Sequence, residues 1–364
     1  MTVHTAIIGL GIMGRRMLEH MVRHTAYQPV AIWDPAPDAC REAQALAPDA
    51  VITGSAEEAI ARADLVYLAC PPAPRKDYAL KAAAAGKAVF LEKPLGVNIA
   101  ESEDLVKQLG NLGVPAAVNF TQAAGAALTD VQEAASSGAL GDVVGVDIIV
   151  TYAAWPRAWQ KTADWLRFRD EGGMTREVIS HFLFFSERIL GPLSMVWARP
   201  SYPAGKELCK THMLARLETD DGRPVTVMAS VGGAQPDRQE LTIKGSRTSR
   251  RITDFDVDAV SDGGPFAETC ARPTDPRAVS LKAQLDELLI CIAKEPNRLA
   301  TPKEALRVQK LVETMLLGKS QEALHLTAHT ERGIYGQPPL PLRRIGVCRS
   351  PVYEGDRVAS LISL

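Results

Sequence analysis

Thr5-Ala6-Ile7-Ile8-Gly9-Leu10-Gly11-Ile12-Met13-Gly14, near the start of the chain, decides the fold. Thr5–Ile8 reads as a short buried strand, and Ile12, Met13, Met17, Leu18, Met21 and Val22 recur at helical spacing directly after it. The first glycine permits a tight turn, the second lets backbone approach a pyrophosphate, and the third lets helix and strand pack closely. Free amides at the helix start, aided by the helix dipole, then face the phosphates. A second apolar run, Val30-Ala31-Ile32-Trp33, ends in Asp34. An acidic side chain there accepts hydrogen bonds from adenosine ribose hydroxyls and repels a 2′-phosphate. No arginine or lysine follows before Arg41, so NAD is expected rather than NADP. Gly9, Gly11, Ile12, Met13, Gly14 and Asp34 are the candidate cofactor residues from this stretch.

The rest of the composition narrows the class. A chain of 364 residues exceeds one core of common size and fits two domains. Hydrophobic residues make up 46% and charged residues 23%, ordinary for a globular protein. A net charge of -2 gives no general attraction to nucleic acid or anionic membranes. Apolar stretches are strand-length, so no membrane span is expected, and the immediate first strand leaves no room for a signal peptide. Six scattered cysteines without a CxxC pair point to a reduced, cytoplasmic protein without structural zinc. His20 and His24, like His325 and His329, sit four apart, but no further ligand accompanies either pair. They read as surface or capping histidines, and no metal site is expected.

The first third alternates strands (3–9, 30–34, 50–53, 65–70, 88–92, 115–120) with helices (11–24, 36–46, 55–62, 74–85, 98–112). This predicts an α/β Rossmann domain, a parallel doubly wound sheet over 1–122. Ligands bind such sheets outside the carboxyl ends of the strands, where strand order reverses. Beyond a helix at 125–137, strands are expected at 143–153, 193–200, 208–219, 224–232, 239–244 and 248–255, with Asp220-Asp221-Gly222 as a hairpin turn. Helices are expected at 174–190, 278–294 and 302–318. Residues 123–320 thus read as an α+β domain with a mainly antiparallel sheet, and 321–364 as a tail packing on the body.

Two further stretches carry chemistry. In Ala85-Gly86-Lys87-Ala88-Val89-Phe90-Leu91-Glu92-Lys93-Pro94-Leu95, a buried strand ends in a Glu-Lys pair fixed by proline. A lysine projecting from a strand end into an apolar cleft loses hydration, which suits it to acid–base work near neutrality. A salt-bridged surface lysine is the plainer account. In Gly172-Gly173-Met174-Thr175-Arg176-Glu177-Val178-Ile179-Ser180-His181, Glu177 and His181 lie four apart on one helix face, where carboxylate and imidazole can bind a hydroxyl and relay its proton. A helical ion pair is the alternative. The turn Cys70-Pro71-Pro72 follows the fourth strand at the same sheet edge and adds Pro71 to the cofactor residues, with Glu92 and Lys93.

Together GLGIMG, the CPP turn, AGKAVFLEKPL, the GG…E…H segment and Thr301-Pro302-Lys303-Glu304-Ala305 resemble the glucose–fructose oxidoreductase/inositol dehydrogenase/MocA family over residues 1–320. The resemblance implies a Rossmann domain with an open-faced antiparallel sheet, often used for oligomerisation, and nicotinamide-dependent chemistry on sugars, polyols and related small molecules. By position Lys93 matches the family's catalytic lysine and His181 its active-site histidine, while Glu177 stands where many members carry aspartate. The chain departs from the pattern at Arg75, Ile179 and Phe184, and Phe182, Phe184 and Phe185 make the face after His181 aromatic, which suits a fully hydroxylated sugar less.

Tyr152, Trp155, Arg157, Trp159, Trp165, Arg167, Arg169 and Arg176 form an aromatic and guanidinium-rich stretch that suits a substrate with an acid group or ring. Trp155, Arg157, Arg169 and Arg176 are its candidate substrate residues; a domain interface with surface charge would look the same. The expected function is hydride transfer between NAD and a hydroxyl or carbonyl carbon of a sugar, polyol, or cyclic or acidic small molecule, with Lys93 and His181 sharing proton transfer and Glu177 supporting them. Redox-neutral hydrolase or lyase chemistry using bound NAD, and a non-catalytic dinucleotide sensor, are the rival readings. Alternating apolar strands on an open sheet face predict a homodimer or homotetramer.

Overall fold

Short apolar strands separated by amphipathic helices bury both faces of a sheet only when the crossovers alternate sides. The computed structural model describes residues 2–160, 162–205 and 207–318. Its first sheet contains β1 (Val3–Ile8), β2 (Tyr27–Trp33), β3 (Val51–Ile52), β4 (Leu65–Leu68), β5 (Ala88–Leu91) and β6 (Ala116–Val118). The connecting helices are α1 (Ile12–Arg23), α2 (Pro37–Gln44), α3 (Ala56–Arg62), α4 (Pro72–Ala84) and α5 (Ile99–Leu112). All pairs are parallel, in the order β3-β2-β1-β4-β5-β6. Strand order therefore reverses between β1 and β4, and the loops leaving those two strands meet there. A Cβ on Gly9 (φ +92°) would lie 2.4 Å from the Cys70 nitrogen, and one on Gly14 would lie 1.9 Å from the Gly9 carbonyl oxygen. Around Gly11 the same construction finds open space.

After α6 (Ala126–Ser136) and β7 (Val143–Tyr152), the segment Thr175–Ile179 forms a π-helical turn that runs into α7 (Ser180–Leu190). The sequence pattern predicts an uninterrupted helix here, and the difference lies in the hydrogen bonds. Ser180 N–H donates to Thr175 O, five residues back, and Ser180 Oγ donates to Arg176 O at 2.7 Å. The second sheet adds β8 (Leu193–Ser201), β9 (His212–Thr219), β10 (Pro224–Val231), β11 (Arg238–Gly245), β12 (Ser249–Thr253), β13 (Val257–Ser261) and β14 (Ala267–Glu268), in the order β14-β13-β12-β11-β7-β10-β9-β8. It is antiparallel except for β7 against β10. Strands β13 and β14, five and two residues long, are too short to announce themselves by periodicity. Residues 208–211, expected as strand, precede β9 and carry only a bridge between Leu208 and Phe168.

Two helices close the described chain, α8 (Pro276–Ile292) and α9 (Pro302–Leu317). Thr301 and Glu304 cap α9 reciprocally, each satisfying a backbone amide at the helix start. Helix α8 returns to the first sheet: Leu281, Leu285 and Leu288 share an apolar cluster with Ile7, Phe90 and Ala117, and Tyr27 OH donates to Leu285 O at 2.7 Å. The tail 321–364, with His325, His329 and Cys348, lies outside the described residues. Among the described residues no helix is long and apolar enough to cross a membrane.

The two glycine environments separate stability from ligand contact. Gly14→Ala should cost roughly 1–3 kcal/mol through overpacking, whereas Gly11→Ala should stay within about 0.5 kcal/mol of wild type. Chemical denaturation of the two variants tests this, and equal losses would contradict the close packing assigned to Gly14.

Candidate active site

A cleft of ≈ 640 Å³ opens at the switch point between β1 and β4. The end beside the glycine turn is built by backbone. Gly11 caps α1 without any side-chain bond to the first helical amides, and no acidic residue occupies the first turn. Those amides are unfilled donors beside a position where a Cβ meets nothing, a cradle suited to phosphate. Asp34 Oδ2 accepts from Leu10 N–H at 2.8 Å and Oδ1 from Ala36 N–H at 2.9 Å, which fixes the carboxylate at the end of β2. Each oxygen keeps a lone pair for a ribose hydroxyl. Glu42 lines the same end, paired with Arg15 at 2.9 Å; the sequence reading missed it because it lies on α2, outside the glycine and strand-end pattern. Ile12, Met13 and Pro71 also line the cleft, while Gly14 serves packing instead. The residues present thus fit a dinucleotide.

At the other end the strand β5 delivers Glu92 and Lys93. Glu92 is buried, accepting from Tyr67 OH and from Asn119 Nδ2 at 2.6 Å. Arg75 donates to the main-chain carbonyls of Glu92 (2.7 Å), Pro94 and Cys70 (2.5 Å), tying the loops after β4 and β5 together. Lys93 Nζ donates to Glu177 Oε2 at 2.6 Å and to the Glu177 carbonyl at 2.8 Å. The lysine therefore meets a carboxylate rather than the apolar wall that its sequence context suggests. Both side chains are shielded, 8% and 18% exposed. The π turn carries Glu177, whose Oε1 also accepts from Gln160 Nε2 at 3.2 Å. Gly172 and Gly173 allow the close approach upstream: a Cβ on Gly172 would lie 2.4 Å from Leu166 O, and Gly173 has φ +99°.

His181 lies one turn on, buried between the edges of Phe120 (5.5 Å) and Phe255 (5.3 Å), with Nδ1 sealed from solvent and unpartnered. Burial first, then the charges of Lys93 and Arg157, hold its pKa well below the ordinary 6.5. Phe255 is seated by a strained turn between β12 and β13, where Asp254 (φ 52°) and Phe255 (φ 73°) both lie in the left-handed region.

Several expected residues belong elsewhere. Arg176 turns away from the cleft, gripping Glu313 through two 2.7 Å bonds and donating to Arg169 O at 2.7 Å. Beside this pair lies buried Lys210, its pKa pushed down to about 7 by burial and by Arg176. Arg169 stacks over Tyr202 at 4.3 Å, and Trp155 Nε1 donates to Leu166 O at 2.9 Å, supporting the loop from behind. Ile179, Phe182, Phe184 and Phe185 are all buried in the core, Phe184 stacked on Phe120 at 4.6 Å. They wall no part of the cleft, so that aromatic face says nothing against a hydroxylated substrate. Of the candidate substrate residues, only Arg157 reaches the cleft. From the wider aromatic stretch Trp159 and Trp165 line it too, and Arg16, Arg277 and the Asp254–Asp256 turn do so without having been singled out for it. His24 pairs with Asp286 at 2.9 Å.

The fold and the dinucleotide cradle define an NAD-binding oxidoreductase class, and comparison with known proteins agrees. Residues 3–120 match the family described as "Oxidoreductase family, NAD-binding Rossmann fold", and residues 128–251 match the GFO/IDH/MocA C-terminal domain. The chain belongs to the Gfo/Idh/MocA oxidoreductase family. It is 32% identical over 151 residues to an inositol 2-dehydrogenase of Gluconacetobacter diazotrophicus, covering 40% of this chain and 45% of that one. To an inositol 2-dehydrogenase of Acidiphilium cryptum it is 38% identical over 114 residues, covering 29% and 33%. The matched stretch is thus less than half the length of either relative. The fold is shared with UDP-N-acetylglucosamine 3-dehydrogenase GnnA from Acidithiobacillus ferrooxidans (TM-score 0.73, 16% identity, 87% of this chain and 98% of that one). It is shared also with the WlbA dehydrogenase from Bordetella pertussis, solved with NADH and UDP-GlcNAcA (TM-score 0.71, 20% identity, 88% and 96%).

The Arg176–Glu313 pair, 8% and 13% exposed, makes a structural role testable. Arg176→Met should cost about 3–5 kcal/mol by stranding a shielded carboxylate, and adding Glu313→Leu should restore most of it. A double-mutant cycle by denaturation checks this; a stable single variant with altered substrate affinity would return Arg176 to the site.

Proposed function

We propose that this chain is an NAD-dependent dehydrogenase acting on a CH–OH or carbonyl carbon of a sugar, polyol, or cyclic or acidic small molecule. The observation that carries the reading is the Lys93–Glu177 pair beside His181, in the same cleft as the glycine turn and Asp34. Bound NAD supplies the hydride acceptor at its nicotinamide ring. Asp34, with Glu42 nearby, disfavours a 2′-phosphate and supports NAD over NADP.

An ammonium group has three donors, and Lys93 spends two on Glu177. The third is left for the substrate oxygen, where it stabilises the negative charge that develops on oxidation. With Nδ1 of His181 sealed away, Nε2 is the nitrogen that meets the substrate hydroxyl and takes its proton. The depressed pKa keeps that imidazole neutral, and so able to accept, through the neutral range. Glu177 positions Lys93 rather than reacting. Buried free cysteines Cys40, Cys70, Cys209 and Cys291 support a reduced cytoplasmic setting.

Adjacent strands of the second sheet support a homo-oligomer. Leu214 and Met228, 48% and 44% exposed, sit opposite each other on its open face, and Ile149 continues the row. Leu214→Arg together with Met228→Lys should convert a dimer or tetramer to monomer in light scattering; an unchanged mass removes that face from the interface.

Lys93→Ala should lower turnover on the order of 10²- to 10³-fold, the range of a lost charge-stabilising donor, with NAD affinity nearly unchanged. In the wild type, kcat/KM for oxidation should hold as pH falls and drop only well below 6.5, when His181 protonates. Removing the Lys93 charge lets His181 protonate more readily, so the acid limb of the variant should move upward. Full activity in Lys93→Ala, followed by NADH absorbance over a substrate panel, would sink the reading.

A further inference from the structure

Three arginines converge on one indole inside the cleft. The Trp159 ring centre lies 4.7 Å from the Arg157 guanidinium carbon, 5.3 Å from that of Arg277 and 5.6 Å from that of Arg16. They come from distant parts of the chain: α1, the loop after β7, and α8. Elsewhere Arg176 is paired with Glu313, Arg188 with Glu304 and Arg250 with Asp258, while buried Arg75 is satisfied by three main-chain carbonyls. Among the described residues, none of the cleft trio has a carboxylate oxygen within 4.0 Å. Arg157 Nε donates to the neutral Gln160 Oε1 at 2.9 Å, and an Arg16 nitrogen lies 3.7 Å from the Met13 sulfur.

Such an arrangement is costly when empty of negative charge. Burial and the repulsion of Arg16 and Arg157 hold the Arg277 pKa below its ordinary range, with Asp256 and Asp275 only partly opposing them. Arginine forks are the protein's matched partners for carboxylate and phosphate, and the indole gives a ring or chain something flat to lie on. Arg157 and Arg277 are also close enough to depress His181, so the cluster borders the reacting end.

We propose that Arg16, Arg157 and Arg277 bind a carboxylate or phosphate carried by the substrate, which lies along Trp159 with its reacting carbon toward Lys93 and His181. The substrate class narrows accordingly, from any small alcohol to one bearing an anionic group. The position of the reacting carbon rests on the dehydrogenase reading; the anion site does not.

The test titrates the NAD-saturated protein with malonate and with inorganic phosphate by calorimetry, for wild type, Arg157→Gln, Arg277→Gln and Arg277→Lys. Binding of one dianion is expected, weakened about tenfold or more in each glutamine variant and less in Arg277→Lys, which keeps charge without the fork. Malonate against phosphate tells which anion the forks prefer. NAD affinity should stay near wild type, and thermal unfolding confirms that each variant is folded; Arg277, the most open of the three, serves if Arg157→Gln is not. Failure of both dianions to bind, binding indifferent to the substitutions, or a parallel loss of NAD affinity would overturn the proposal, the last because the arginines would then serve the cofactor. A parallel NADH assay compares sugar acids and sugar phosphates with their neutral parents. Turnover of neutral polyols with KM unmoved by the variants would overturn the anionic class while leaving the dehydrogenase standing. Dianion binding through the arginines, with no turnover of any compound, would uphold the anion site and remove the dehydrogenase.

Discussion

Everything at the cleft depends on two positions that carry no side chain. The contact of Gly9 with the Cys70 backbone, and of Gly14 with the Gly9 carbonyl, lets the loops after β1 and β4 touch and brings α1 down onto its own strand. The helix amides then point into the crevice where strand order reverses. Asp34 is fixed to the same turn through Leu10 N–H, so the phosphate cradle and the ribose end are set by one local geometry. Arg16, the residue before buried Met17 on α1, inherits its place over the cleft from that docking.

The opposite wall comes from the second half of the chain and is held by charge. Glu177 reaches Lys93 because the π turn and the close approach of Gly172 to Leu166 place it there. Removing a lysine and a carboxylate from water is expensive, and the pair is tolerable because both groups are hydrogen-bonded beyond each other: Lys93 to the Glu177 carbonyl, Glu177 to Gln160. Arg75 plays a comparable part below, satisfying three main-chain carbonyls where β4 and β5 end. The residue that departs from the family pattern there is thus a brace for the loops that present Lys93.

What the sequence made legible follows the range of the interactions. The glycine turn, Asp34, and the alternation of apolar strands with amphipathic helices are local, and the six parallel strands lie where periodicity puts them, within two residues except that β2 begins at Tyr27 rather than at 30. Lys93, Glu177 and His181 were readable because each sits in a short motif whose spacing has a chemical meaning. The parallel pairing of β7 with β10 was not, since strand partners are chosen by the whole sheet. Arg176 looked like a ligand-binding fork because its true partner, Glu313, lies 137 residues away. The Phe182, Phe184 and Phe185 face looked like a pocket wall because a fully buried helix shows no polar side by which to orient it. The convergence of Arg16, Arg157 and Arg277 on Trp159 belongs to tertiary structure alone.

Helix α8 carries a consequence for how this protein is made. The stripe on the first sheet formed by Phe90 and Ala117 is covered by Leu281, Leu285 and Leu288, residues that leave the ribosome long after the strands they cover. During synthesis the nascent sheet therefore waits with a greasy flank in water, a state that invites chaperones and premature association. Truncating the gene at the edge of the first sheet would not release a free-standing nucleotide module. It would release an unfinished one, lacking the cover that helix α8 provides.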